Sequence, residues 1–166
     1  MFFKKKKSLL IVCRANITRS AYLHGYMEKW LHEQYSFSRK KLCIESAGVE
    51  AKGGSKAHEV VDHVAKLSGF SLKAHRSSPL SAKAIKRAEA ILVMEDWQKK
   101  HIQTHFKKAA EKTFLLTEYL WDGDPATIEQ VPDPTGRHTE DYRAFIDVAH
   151  IETERIFAEM SRKGLL

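Results

Sequence analysis

Cysteine, proline and long apolar runs are scarce in this sequence. It contains two cysteines and four prolines in 166 residues, and no apolar run approaches the roughly 20 residues that a membrane-spanning helix needs. Two cysteines are too few for a disulfide framework, and neither they nor the nine histidines have the spacing of metal ligands. We therefore expect no metal, no cofactor and no membrane partner for this chain.

A basic leader, MFFKKKK over residues 1–7, opens the chain. Its lysines precede an apolar stretch that is shorter than the core of a signal peptide, so we expect a cytoplasmic protein. The formal net charge of +7 would suit an anionic partner. No aromatic residues are interleaved with the lysines for base stacking, which argues against nucleic acid and for a solvated leader.

Short aliphatic runs alternate with amphipathic stretches along the rest of the chain. The aliphatic runs predict strands over 8–13, 41–46, 90–94 and 113–116. The amphipathic stretches predict helices over 18–34, 55–69, 81–87, 96–108 and 138–161. Such alternation is typical of βαβ units. The sequence therefore predicts a single α/β domain over 8–163, with a four-stranded parallel sheet and helices on both faces.

The segment CRANITRS, residues 13–20, carries the strongest functional signal. It joins the first predicted strand to the first helix, and ligands of parallel sheets bind at the carboxyl ends of the strands. The five residues between Cys13 and Arg19 are enough to wrap backbone N–H groups around a phosphate, at the positive end of the helix dipole. That environment favours a nucleophilic thiolate at Cys13. The planar fork of Arg19 suits two phosphate oxygens, and Ser20 could donate a hydrogen bond to the sulfur.

All eight residues of this segment are candidate phosphate-binding residues: Cys13, Arg14, Ala15, Asn16, Ile17, Thr18, Arg19 and Ser20. With this loop the chain resembles the low-molecular-weight protein tyrosine phosphatase family, whose loop reads Cys-x-Gly-Asn-x-Cys-Arg-Ser. Three further stretches are similar to that family in the same order: ESAGV at 45–49, AHRSSPL at 74–80 and VPDP at 131–134. The resemblance implies a phosphotyrosine phosphatase I-like fold and a phosphomonoester hydrolase, most simply a protein tyrosine phosphatase.

The resemblance also assigns roles to individual residues. Cys13 would form a phosphocysteine intermediate, with Arg19 gripping the phosphate. Asp133 would act first as the general acid on the leaving oxygen and then as the general base on water. Four polar residues would support the shape of the loop: Asn16, Ser20, Ser46 and His75. The implied partners are a phosphorylated protein as substrate and inorganic phosphate or sulfate in the loop.

Three positions in the loop or directly after it depart from the family pattern. Ala15 stands where the family has glycine, which would slow turnover if this position needs a positive φ or a very close approach of phosphate. The neighbouring Asn16 tolerates a left-handed backbone. Thr18 replaces a second cysteine, so no protective disulfide can form within the loop, and Cys43 on the next strand is expected to pack as a small apolar group. Ala21 replaces a proline at the helix start, with little consequence expected.

The rim of the predicted pocket also departs from relatives that hydrolyse phosphotyrosine, in which apolar or aromatic side chains wall the substrate ring. The corresponding residues here are Arg14, Lys52 and Thr135, which form a cationic rim. We expect phosphotyrosine to be hydrolysed without strong preference, and substrates with extra negative charge to be favoured. Tyr119 and Trp121 are expected to pack in the core rather than to wall the pocket.

Three alternative functions remain open. Phosphoarginine hydrolysis, found in similar bacterial proteins, would need an acidic partner for the guanidinium, and Arg14 and Lys52 argue against it. Arsenate reduction on this scaffold relays electrons through further cysteines, and residues 70–100 contain none. A degenerate, non-catalytic member that only binds phosphate or polyanions would fit the net charge of +7, although all three catalytic candidates are present.

Overall fold

The computed structural model describes residues 6–166. Its strands are β1 (Lys7–Cys13), β2 (Leu42–Gly48), β3 (Ala88–Val93) and β4 (Thr113–Leu115). Its α-helices are α1 (Arg19–Gln34), α2 (Glu59–Leu67), α3 (Ala82–Arg87), α4 (Asp96–His105) and α5 (Thr139–Arg162). Short 3-10 turns cover Ser36–Lys40, Lys107–Lys112 and Pro125–Thr127. Residues 1–5 of the predicted leader lie outside the described residues, and Lys7 is already the first residue of β1.

The four strands form one parallel sheet in the order β2-β1-β3-β4, which confirms the predicted α/β fold. Because β1 lies between β2 and β3, the chain leaves β1 towards one side of the sheet and later returns to its other side. Such a reversal opens a crevice at the carboxyl ends of the strands. Cys13 is the last residue of β1 and therefore lies at this crevice.

Alternate side chains of β1 enter two separate cores, one on each face of the sheet. Leu9 and Ile11 belong to a core shared with α1, α2 and α5, whereas Leu10 and Val12 belong to a core shared with α3 and α4. None of the four is more than 2% exposed. Burial on both faces explains why this strand is continuously apolar, and it confirms that helices cover both sides of the sheet.

The start of α2 lies four residues later than the sequence predicts. Its first residue is Glu59 rather than Ser55, and the side chain of His58 caps it by accepting the backbone N–H of Val60. The backbone of Ser55 pairs instead with Ser77. The N–H of Ser77 donates to the Ser55 carbonyl at 2.7 Å, and the N–H of Ser55 donates to Oγ of Ser77 at 3.0 Å. A pairing between distant segments thus replaces the local capping pattern.

The remaining boundaries lie within a few residues of the prediction. α2 closes with a turn in which Gly69 has φ +81° and the N–H of Phe70 donates to the carbonyl of Ala65. α4 ends at His105, three residues early, because Phe106 leaves the helical region with φ −132° and ψ 66°. These shifts leave the site at the carboxyl end of the sheet unchanged.

Candidate active site

The phosphate loop, residues 13–20, links the end of β1 to the first turn of α1. Its cysteine is buried, and two groups of the loop contact the sulfur. The backbone N–H of Asn16 donates to Sγ at 3.3 Å, and Oγ of Ser20 lies 3.0 Å from Sγ. α1 starts with no side-chain cap and no acidic residue in its first turn. No side chain of this first turn therefore offsets the positive end of the helix dipole, which lies at the loop.

Asn16 holds the phosphate loop together from its centre. It has a left-handed backbone, with φ 56°, whereas Ala15 does not have a positive φ. Its side-chain Nδ2 donates to Oγ of Ser20 at 2.8 Å, and its Oδ1 accepts the backbone N–H of Ser78 at 2.9 Å. The alanine that replaces the family's glycine therefore introduces no strain of the kind that a positive φ would cause.

Two of the predicted supports, Ser46 and His75, lie outside the loop. His75 lies within hydrogen-bond distance of the loop, whereas the hydroxyl of Ser46 has its partner elsewhere. Nε2 of His75 lies 2.8 Å from the carbonyl oxygen of Asn16. Burial lowers the pKa of His75 despite this hydrogen bond, so the neutral ring donates its Nε2–H to the carbonyl. The hydroxyl of Ser46 lies 2.9 Å from Nδ1 of His24 in α1 instead. In the sheet, Ser46 pairs with Ile11, two residues before the end of β1.

Arg19 is fully buried, and two nitrogens of its guanidinium share three hydrogen-bond partners. Nη1 donates to the carboxylate of Glu95 and, at 2.7 Å, to the backbone carbonyl of Val131. Nη2 donates to Oδ2 of Asp133 at 3.1 Å. Nε is buried and has no hydrogen-bond partner among residues 6–166. A buried donor without a partner costs free energy, and an oxyanion bound in the loop would satisfy it.

Glu95 belongs to this site, although the sequence motifs did not reveal it. It follows β3, which neighbours β1 in the sheet, and the side chain of Gln98 accepts its backbone N–H at 3.2 Å. One oxygen of its carboxylate accepts from Arg19, and the other accepts from Nε1 of Trp97 at 2.9 Å. Its position at the carboxyl end of a strand adjacent to β1 is the signal that would have identified it.

Asp133 lies in the aspartate loop, residues 131–135, and contacts the guanidinium of Arg19. Its Oδ1 accepts the backbone N–H of Thr135 at 3.0 Å. Partial burial by itself would raise the pKa of this carboxyl. Hydrogen bonds from Thr135 and the positive charges of Arg19 and Arg14 outweigh burial, so the pKa of Asp133 lies below its ordinary value. Without a bound anion, Asp133 is therefore ionised at neutral pH.

Arg14 and Lys52, the two predicted rim cations, differ in what they contact. The guanidinium of Arg14 lies 4.9 Å from the ring centre of Trp97, and its Nη1 lies 3.5 Å from Oε2 of Glu50. Lys52 is exposed and forms no ion pair with any residue of 6–166. Sequence reasoning named neither Trp97 nor Glu50, because both come close to the loop only through folding.

The remaining residues considered for the rim or the pocket wall are Thr135, Tyr119 and Trp121. The hydroxyl of Thr135 lies 2.8 Å from that of Thr18, so this residue ties the aspartate loop to the phosphate loop. Tyr119 is buried, as expected for a core residue. The same expectation is wrong for Trp121, which is 39% exposed and lies beneath the guanidinium of Arg155 at the surface.

Residues 6–166 contain no disulfide, no metal-ligand cluster and no membrane-spanning helix. Cys13 and Cys43 are both free, and the half-buried thiol of Cys43 donates to the carbonyl of Lys7 at 3.4 Å. In this part of the chain, no three His, Cys, Asp or Glu side chains are grouped so that they could hold a metal ion. None of its helices is both long and apolar enough to cross a bilayer.

Comparison with known proteins identifies the family. The family model for the low molecular weight phosphotyrosine protein phosphatase matches residues 8–165. The chain belongs to this family. A low molecular weight protein-tyrosine-phosphatase from Acinetobacter johnsonii is 34% identical to it over 128 residues, which cover 77% of this chain and 80% of that protein. The chain is accordingly a cysteine-dependent protein phosphatase.

Solved structures with the same fold include phosphatases that differ in their named substrate. An arginine phosphatase from Geobacillus stearothermophilus has a TM-score of 0.82 at 30% identity, covering 96% of each chain. A tyrosine phosphatase from Escherichia coli K30, in complex with sulphate, has a TM-score of 0.74 at 25% identity, covering 90% of this chain and 95% of that one. The fold of the present low molecular weight phosphatase is therefore shared by tyrosine and arginine phosphatases.

Gly48, the last residue of β2, lies against the backbone of the phosphate loop. A Cβ added at Gly48 would lie 2.7 Å from the carbonyl oxygen of Arg14 and 2.8 Å from the carbonyl carbon of Ala15. Because both are backbone atoms, no change of side-chain rotamer can relieve the clash. Only glycine allows the loop to lie this close to β2.

We predict that Gly48→Ala displaces the phosphate loop and weakens the binding of inorganic phosphate about tenfold or more, given the usual cost of overpacking. Competitive inhibition by phosphate measures this effect. Gly25→Ala is the matched control, because its Cβ would meet the side chain of Phe70 rather than the loop. The control should lower thermal stability without changing phosphate affinity. Unchanged phosphate affinity in Gly48→Ala would contradict the close contact.

Proposed function

We propose that this phosphatase hydrolyses phosphotyrosine in proteins through a phosphocysteine intermediate on Cys13. The proposal depends on Nε of Arg19, which is buried in the first turn of α1 and has no hydrogen-bond partner in the part of the chain that the structure describes. A phosphate oxygen would complete the hydrogen bonds of that guanidinium. Inorganic phosphate or sulfate is expected in the same loop, and a related tyrosine phosphatase has been solved in complex with sulphate.

In the first step, the thiolate of Cys13 attacks phosphorus. The S–P bond forms as the bond to the leaving oxygen breaks, and Asp133 gives that oxygen its proton. The backbone N–H groups of the loop and the Arg19 guanidinium bind the three equatorial oxygens. The N–H of Asn16 already donates to the sulfur at 3.3 Å, which stabilises the thiolate before attack.

In the second step, the ionised Asp133 takes a proton from water, and the resulting hydroxide attacks the phosphocysteine. The S–P bond breaks and Cys13 leaves as a thiolate. Oγ of Ser20 already accepts a hydrogen bond from Nδ2 of Asn16 at 2.8 Å. The hydroxyl proton of Ser20 can then point at the sulfur 3.0 Å away, which is nearer than its other acceptor, the carbonyl of Ala47 at 3.5 Å, and there it eases the departure of the thiolate.

Asp133 becomes protonated when the substrate binds. The Arg19 charge helps to hold the pKa of this carboxyl below its ordinary value. A phosphate dianion beside Arg19 offsets that positive charge, and its own negative charge favours the protonated carboxyl. We therefore expect Asp133 to take up a proton as the dianion binds, which makes it an acid only in the occupied site.

The proposed location is the cytoplasm, because the nucleophile must stay a reduced thiol. Cys13 is a free cysteine, and Thr18 leaves it without a neighbouring cysteine in the loop that could protect it reversibly. A reducing compartment keeps such a thiol available for catalysis. The supports that we assign to the loop are Asn16, Ser20 and His75, which the contacts above connect.

Phosphoarginine is the second candidate substrate, since a structural relative at 30% identity is an arginine phosphatase. The guanidinium of phosphoarginine would need an acidic side chain at the pocket entrance. Glu50 is an acidic residue near the entrance, but its carboxylate lies 3.5 Å from Arg14. Because Arg14 would repel a second guanidinium there, phosphotyrosine is the better fit.

We predict that Asp133→Asn lowers kcat/KM for a phosphotyrosine peptide by about 10² to 10⁴-fold, the usual contribution of a general acid. The loss should be smaller for p-nitrophenyl phosphate, whose leaving group needs less protonation. Asp122→Asn is a matched surface control that should retain full activity. Cys13→Ala should abolish turnover. Equal losses by Asp133→Asn on both substrates would contradict the acid role, and a wild-type protein without activity would support the non-catalytic binder.

We predict that kcat/KM for a phosphotyrosine peptide exceeds that for a phosphoarginine peptide of otherwise identical sequence. The physical reason is the repulsion between Arg14 and the substrate guanidinium. Phosphate release under matched conditions measures both rates. A preference for phosphoarginine would refute the tyrosine assignment while leaving the phosphocysteine chemistry in place.

A further inference from the structure

Trp97 makes two contacts that join the entrance of the site to its base. It lies in the first turn of α4, four residues after the end of β3 at Val93. Its Nε1–H donates to Oε2 of Glu95 at 2.9 Å. Its ring lies beneath the guanidinium of Arg14, whose central carbon is 4.9 Å from the ring centre. One side chain thus contacts a residue at the rim and a residue at the base.

The contact with Glu95 extends to the phosphate-binding arginine. The carboxylate of Glu95 accepts from Nε1–H of Trp97 through one oxygen and from Arg19 through the other. A carboxylate that is held at both oxygens cannot rotate without losing a hydrogen bond. Trp97 therefore fixes the orientation of the group that in turn orients Arg19.

The contact with Arg14 controls a cation that is otherwise weakly held. The ion pair between Arg14 and Glu50 is 3.5 Å long, and both side chains are more than half exposed. Such exposed pairs contribute little. An aromatic face beneath the guanidinium restrains its plane and leaves its N–H edge free to donate outwards. Arg14 is therefore presented to an incoming anion at the entrance of the phosphate loop.

We propose that Trp97 is a positioning residue that sets substrate specificity in this phosphatase. It holds Arg14 ready for the carboxylate of an acidic residue next to the phosphorylated one, and it holds Glu95 against Arg19. The preferred substrate class is a phosphopeptide with an acidic flank, with Glu50 competing for the same cation. This inference rests on the proposed phosphatase function.

Two substitutions at Trp97 separate its two contacts. Trp97→Phe keeps an aromatic face under Arg14 but removes the donor to Glu95. It should lower kcat/KM equally for phosphotyrosine peptides with acidic and with neutral flanks, and it should weaken inhibition by inorganic phosphate, while the ratio between the peptides is retained. Trp97→Leu removes both contacts, so this ratio should also fall, by about two- to fivefold, the usual strength of an exposed cation–π contact.

Glu50→Gln provides an independent test that does not alter Trp97. Removing the competing carboxylate should raise the preference for the acidic flank about twofold, a typical effect of an exposed ion pair. The inference is overturned if wild-type enzyme hydrolyses both peptides equally well, if a folded Trp97→Leu keeps the wild-type ratio, or if Glu50→Gln leaves the ratio unchanged. A wild type that hydrolyses neither peptide would overturn the proposed function itself.

Discussion

The buried guanidinium of Arg19 is the constraint on which the rest of the site depends. A fully buried cation must be paired, and two carboxylates and a backbone carbonyl surround this one. The carboxylates of Glu95 and Asp133 lie next to Arg19, and their negative charge opposes the entry of a phosphate dianion. Protonation of Asp133 would remove one of these two charges. In this account, anion binding and the protonation of Asp133 are one coupled equilibrium.

The sheet brings these groups together because they all lie at the carboxyl ends of its central strands. β1 delivers the loop with Cys13, and β3 delivers Glu95. The aspartate loop is tied to the same edge, since the N–H of Val131 donates to the carbonyl of Met94 at 2.8 Å. Thr135 closes the arrangement through its hydroxyl contact with Thr18. The contact of Val131 with the end of β3 thus helps to set the position of Asp133 relative to Arg19.

The sequence predicted what depends on local pattern and failed where distant segments meet. The apolar run of β1 and the CRANITRS segment located the loop, and the fold brought Arg19 to Asp133, 114 positions away. The Ser55 capping pattern was misleading because the backbone of Ser77 pairs with Ser55. Ser46 was expected at the loop, and its hydroxyl contacts His24 instead, a partner that no local pattern specifies.

Glu95 and Trp97 were missed in the sequence for a related reason. Neither belongs to a motif, and the importance of each arises from a contact made across the sheet to the phosphate loop. A glutamate and a tryptophan at the start of a helix are ordinary residues until β3 places them beside β1. The sequence analysis predicted a cationic rim that includes Arg14, but it did not predict the ring of Trp97 beneath the Arg14 guanidinium.

The most direct test of the central claim is to trap the covalent intermediate. In Asp133→Asn, p-nitrophenyl phosphate should still transfer its phosphate to the sulfur, while hydrolysis of the phosphocysteine is slowed for lack of a base. Rapid quenching followed by mass spectrometry should then find phosphate on the peptide that contains Cys13. Phosphate on a different residue, or sustained turnover with no phosphorylated peptide at all, would contradict the account.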